Sequence, residues 1–133
     1  MVAARQLRIL VAEDDEEIVR LYRDYALRRG HNVLHTHDGP ETLVMAAGEL
    51  PDVVILDIGM PKLDGRDVLR QLKQSPKTAG IPIVVVSARA GDQNMRDLLL
   101  ELGAADVIEK PADLALTFSR LERLADRAAH PRP

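Results

Sequence analysis

A chain of 133 residues, 46% of them hydrophobic, has the size of one domain and enough apolar material for one core. Its 18 Lys plus Arg against 21 Asp plus Glu leave a net charge of −3, and one Phe, two Tyr and no Trp offer no stacking platform, so direct nucleic-acid binding is not expected. The absence of cysteine excludes disulfides and thiolate zinc sites.

Residues 1–6 read as an N-terminal extension. The run LRILVA (7–12) reads as a first strand; it is too short to cross a bilayer and ends in acids, not at a small-residue cleavage site, so a cytoplasmic chain without anchor or export signal is expected. Five acids follow, Glu13 to Glu17. Asp15 reads as a helix cap, and Glu16 and Glu17 fall in the first turn of a helix over 16–29, where the dipole favours negative charge. Ile18, Tyr22 and Tyr25 form its expected apolar stripe, and Arg28, Arg29 and Gly30 its stop. NVLH (32–35) is a second strand, and Asp38-Gly39-Pro40 opens a helix over 40–50. VVILD (53–57) and IVVVS (83–87) are nearly continuous Val, Ile and Leu, as strands covered on both faces of a parallel sheet should be. Helical spacing occupies 65–74 (Val68, Leu69, Leu72) and 92–102 (Met95, Leu98, Leu99, Leu102). DVIEK (106–110) is a fifth strand, and 113–129 repeats Leu114, Phe118, Leu121, Ala125 and Ala128 on one helical face. AAHPRP reads as a frayed end, with 130–133 as a C-terminal tail. Arg28 with Arg29, and Arg120, Arg123 and Arg127, lie late in helices and read as solvated helix ends.

Five strand–helix alternations predict an α/β domain with a parallel sheet and helices on both faces. Ligands bind such sheets beyond the carboxyl ends of the strands. The first run ends in Glu13-Asp14-Asp15, the third in Asp57, the fourth in Ser87 and the fifth in Lys110-Pro111, so four segments deliver polar groups to one edge. Gathered carboxylates need a counter-ion, and oxygen ligands without His or Cys suit Mg²⁺. With an ammonium beside it, such a site neutralises an incoming phosphoryl group, and Asp57, at the end of the most hydrophobic strand, is placed to attack phosphorus.

Over about residues 7–128 the chain resembles the receiver (response regulator) domain of two-component signalling systems, through ILVAEDDEEI, DVVILDIGMPKLDG, PIVVVSA and GAADVIEKP in order and at the family's spacing. The resemblance implies a flavodoxin-like doubly wound five-stranded parallel sheet of order 2-1-3-4-5 with five helices, over residues 7–129. It implies Asp57 as phosphoacceptor, Asp14 as a direct Mg²⁺ ligand, Glu13 acting through water, and the Gly59 backbone carbonyl completing the ligand set. Ser87 would hydrogen-bond the phosphoryl group, Lys110 would pair with it, and the Lys110-Pro111 bond would be cis. A sensor histidine kinase or histidine phosphotransfer protein would be the donor. The output would be partner binding through the fourth helix, fifth strand and fifth helix, without an attached effector domain, by a monomer or a phosphorylation-linked homodimer.

Two positions depart from the family. Val107 stands where many receivers carry Tyr or Phe, so the usual aromatic reporter is missing, and Ala112 replaces a common aromatic after Lys-Pro. Gly59 and Arg89 are expected to tune the lifetime of the phosphorylated state, Gly59 by leaving it open to water and Arg89 by shielding it. A dehalogenase-like phosphatase would need an acid where Gly59 stands, and a flavin binder would want a phosphate loop where the chain has five acids. His35 and His37 would share a strand face. With no acid at matching spacing, they and His31 read as surface histidines and not as a zinc site.

Overall fold

The computed structural model describes residues 5–130. Ten elements alternate along it: β1 Arg8–Ala12, α1 Glu16–Arg28, β2 Asn32–Thr36, α2 Gly39–Glu49, β3 Val53–Asp57, α3 Gly65–Gln74, β4 Ile83–Ser87, α4 Gln93–Glu101, β5 Asp106–Glu109 and α5 Leu114–Ala129. The strands form one parallel sheet in the order β2-β1-β3-β4-β5, the flavodoxin-like doubly wound arrangement. Residues 1–4 and 131–133, most of the expected extension and tail, lie outside the described residues.

Each helix starts on an aspartate. Asp15, Asp38, Asp64, Asp92 and Asp113 each accept a hydrogen bond from a backbone N–H of the first turn, satisfying a donor that the helix itself leaves unpaired. The α1 stop is Gly30, whose φ of 81° lies in the left-handed region that glycine adopts without a Cβ penalty.

Side-chain alternation along the strands divides the core in two. Ile9, Val11, Val53, Ile55, Val84 and Val86 face α1 and α5, where they pack against Val19, Tyr22, Phe118 and Leu121. Leu10, Ala12, Val54, Leu56, Ile83 and Val85 face α2, α3 and α4, against Ala46, Leu69, Leu72 and Leu99. The central strands β3 and β4 are buried at every position, whereas the edge strand β2 is only partly covered, which explains its polar composition.

Several sequence expectations need correction. The buried stripe of α1 is Val19, Tyr22 and Ala26, with Ile18 and Tyr25 only partly covered. The sheet approaches α1 from a direction rotated by about one residue from the one inferred from its largest side chains. In α5, Thr117 is buried and Ala128 exposed, because the helix runs past the end of the sheet. Ala128 and Ala129 remain helical and are not frayed. Among the described residues no helix is long and apolar enough to cross a membrane.

Candidate functional site at the carboxyl edge of the sheet

The parallel sheet brings the ends of β1, β3, β4 and β5 to one edge. Asp57 is the last residue of β3 and pairs in register with Val86; Ser87 ends β4 opposite Glu109, and its carbonyl accepts from the Lys110 N–H at 3.0 Å. Glu13, Asp57 and Ser87 are 3%, 7% and 6% exposed, so polar groups sit where continuous hydrophobic strands would otherwise end in core. Asp14 is exposed. Carboxylate oxygens of Glu13, Asp14 and Asp57 lie within 4.8 Å of one another.

Lys110 joins these groups. Its Nζ lies 3.0 Å from Glu13 Oε1 and 3.2 Å from Asp57 Oδ2. The other Asp57 oxygen, Oδ1, accepts from the Gly59 N–H at 3.0 Å, and Ser87 Oγ accepts from the Arg89 N–H at 3.0 Å. Gly65 keeps the loop after Asp57 in place, since a Cβ there would stand 2.6 Å from Ile58 Cα. The Lys110-Pro111 peptide is cis. Gly59, Ser87, Arg89 and Lys110 line a cleft of about 510 Å³ above Asp57.

One ammonium does not balance this much negative charge. Burial, with the neighbouring Asp57, pushes the Glu13 carboxyl up to about 7 despite the opposing pull of Lys110. Burial works against the Lys110 charge too, but the two carboxylates outweigh it and hold its pKa above the ordinary value. Because the Glu13 pKa is raised on folding, its contribution to stability is fully present below 4.5 and is lost as pH rises through about 7. Glu13→Gln should therefore be more stable than wild type above that pH in a metal chelator, by on the order of 1–3 kcal/mol. Urea unfolding across the range checks this, and a variant less stable than wild type on the alkaline side would contradict it.

All six site residues expected from the sequence meet at this edge: the side chains of Glu13, Asp14, Asp57, Ser87 and Lys110, and the main chain of Gly59. Sequence reasoning missed Asp64 and Arg66, which line the cleft as an ion pair at the start of α3; the Asp-Gly before an apolar repeat was the available cap signal. Arg89 lines the cleft too, but is mostly exposed, 3.8 Å from Asp92. The histidine reading needs correction. His31 is buried, not on the surface: its Nδ1 accepts from the Leu7 N–H at 3.0 Å and its Nε2 lies 2.7 Å from Glu122 Oε2. Glu122 in turn pairs with Arg29, which is therefore not simply solvated. Likewise Arg120 reaches Asp106 at 3.2 Å. An acid does reach His37, since α1 carries Glu16 Oε1 to 2.9 Å from its Nε2. Val107 is buried against α4, and its carbonyl accepts from Arg96 Nη1.

A family model for the response regulator receiver domain matches residues 9–122. The chain belongs to that family. Response regulator PleD of Caulobacter vibrioides is 42% identical over 117 residues, 88% of this chain but 26% of PleD. The alkaline phosphatase synthesis transcriptional regulatory protein PhoP of Bacillus subtilis is 37% identical over 122 residues, 91% of this chain and 49% of PhoP. The chain thus spans a quarter to a half of these relatives. Among solved structures, a sensor protein from Polaromonas superposes with a TM-score of 0.85 at 29% identity, over 93% of this chain and 99% of that one. The receiver domain of a Pseudomonas aeruginosa sensor histidine kinase, at TM-score 0.82 and 24% identity, covers 92% of this chain and 99% of its own; it shares the fold and was solved with magnesium coordinated in its active-site cleft. Receiver domains interact with histidine kinases or phosphotransfer proteins and act as signalling switches.

Proposed function

We propose that residues 7–129 form a phosphorylation-controlled switch, with 1–6 and 130–133 as flanking segments, and that Asp57 is its phosphoacceptor. The observation behind this reading is the triad of buried Glu13 and Asp57 with partly exposed Lys110, in which one ammonium faces two carboxylates beneath an open cleft. A phosphohistidine on a sensor kinase or phosphotransfer protein is the donor. An Asp57 oxygen attacks phosphorus, the bond from phosphorus to the imidazole nitrogen breaks, and an acyl phosphate forms. Lys110 then exchanges its ion pair with Asp57 for one with the phosphoryl oxygens, and Ser87 turns its hydroxyl toward them.

The oxygen-only donor set, with one ammonium against the carboxylates of Glu13, Asp14 and Asp57, fits Mg²⁺. Glu13, Asp14, Asp57 and the Gly59 carbonyl would hold it, Glu13 through water, and when bound it supplies the positive charge that lets an anionic phosphoryl group approach. Phosphorylation adds about −1.5 to −2 charges, by analogy with other phosphorylated side chains, and biases two conformations of the domain. A coupling of ~1–3 kcal/mol is typical of such switches. The readout face is α4, β5 and α5, acting in the cytoplasm on a protein partner or a second copy, without direct contact with nucleic acid. With Val107 packed in the core, that face reports the site through something other than an aromatic side chain. Gly59 leaves the acyl phosphate open to water, while Arg89 at the rim shields part of it.

Incubation with Mg²⁺ and acetyl phosphate tests the reading. Intact mass should show a single base-labile phosphoryl adduct that maps to the Asp57 peptide and vanishes when EDTA replaces Mg²⁺. Multiple turnover of phosphate esters with no adduct would overturn the switch in favour of a hydrolase.

A further inference from the structure

Just outside the acid pocket, a second group of metal-ligating side chains has no part in the switch. His35 in β2, His37 just beyond it and Glu16 in the first turn of α1 each offer a ligand atom, all within 4.8 Å of one another. The two imidazole centroids are 4.2 Å apart, and Glu16 Oε1 is 2.9 Å from His37 Nε2. Both rings are oriented from behind. His35 Nε2 lies 2.8 Å from the Glu13 carbonyl oxygen, which can only accept, so Nε2 carries the proton and Nδ1 keeps a free lone pair. His37 Nδ1 lies 3.4 Å from Glu41 Oε1, and the same oxygen accepts from the His37 backbone N–H at 3.1 Å. In His35, one ring nitrogen on a carbonyl with the other free is the arrangement found behind metal-bound histidines; in His37 the second ring nitrogen faces Glu16, the carboxylate that would share the ion.

We propose that Glu16, His35 and His37 form a site for a transition-metal dication of the Zn²⁺ type, separate from the acid pocket. The donors divide the two sites by chemistry: imidazole nitrogens favour Zn²⁺, Ni²⁺ or Cu²⁺, and the all-oxygen pocket favours Mg²⁺. Two imidazoles and one carboxylate leave a fourth tetrahedral position for water. Glu16 and His37 are mostly exposed, so they can close from their present spacing to coordination distance without moving the core. Glu13 links the sites, with its side chain in one and its main-chain carbonyl steadying a ligand of the other.

Zinc titration by calorimetry, with Mg²⁺ in large excess and under mildly alkaline conditions, tests the proposal. One Zn²⁺ should bind per chain. His37→Gln and Glu16→Gln should each weaken it by about tenfold or more, whereas Asp57→Asn should bind as wild type does. Zinc should shift the imidazole resonances of His35 and His37 and leave those of His31 and His130 in place. Unchanged affinity in both ligand variants, loss of binding in Asp57→Asn, or no binding to wild type would each overturn the proposal and leave an exposed cluster of ion pairs.

Discussion

Asp57→Asn should take up no phosphoryl group from acetyl phosphate, a loss on the order of a hundredfold or more, because removing the nucleophile removes the covalent route itself. The change is nearly isosteric. Its amide oxygen can still accept from Gly59 N–H, and Lys110 keeps Glu13 as a partner at 3.0 Å. An amide nitrogen, however, has no lone pair free to attack phosphorus. The variant should fold as well as wild type. Asp57 is among the causes of the raised Glu13 pKa, so removing its charge lets Glu13 ionise at a lower pH and relieves repulsion in the cluster. Intact mass and circular dichroism on the same samples separate the two effects. An adduct of equal yield in folded Asp57→Asn would defeat the assignment of the acceptor, with Asp14 the next residue to examine.

Phe118→Ala should cost about 3–5 kcal/mol of stability, a large part of the 5–15 kcal/mol typical of a whole domain. Phe118 is the only phenylalanine and is fully buried, with its ring 4.9 Å from that of Tyr25 and 6.3 Å from that of Tyr22. It fills the space between α1, α5 and the sheet. Urea unfolding with an unchanged m-value measures the loss; a cost under about 1 kcal/mol would mean the cavity refills. Asp57 lies at the end of β3, so the fraction still folded should accept phosphate normally.

The fold and the carboxyl-edge site were legible for one reason. A parallel sheet delivers every strand end to the same edge, and the order 2-1-3-4-5 sets β1, β3, β4 and β5 side by side, so the acids after LRILVA and the last residues of VVILD, IVVVS and DVIEK meet there. Contacts that depend on which helix covers which face were not legible. His37 meets Glu16 because α1 begins beside the end of β2, and His31 meets Glu122 because α1 and α5 share a face. No spacing along the chain encodes either pair. The α1 stripe was misplaced for a related reason: large side chains marked the helix face, but small Ala26 is what lets the helix approach the sheet. Val107 was legible as a departure, yet its packing against α4 and the Arg96 grip on its carbonyl were not.

The clasp at the other end of the sheet bears on when the domain closes. One buried imidazole ties the N–H of Leu7 to a carboxylate 91 positions further along than itself. Loop closure over such a span is paid for before the contact rewards it, so it forms late. A chain emerging from the ribosome N-terminus first has His31 in place long before Glu122 exists, so the imidazole waits for its carboxylate partner. The last helix therefore acts as a latch: synthesis has to pass residue 122 before the end of the sheet opposite Asp57 can shut.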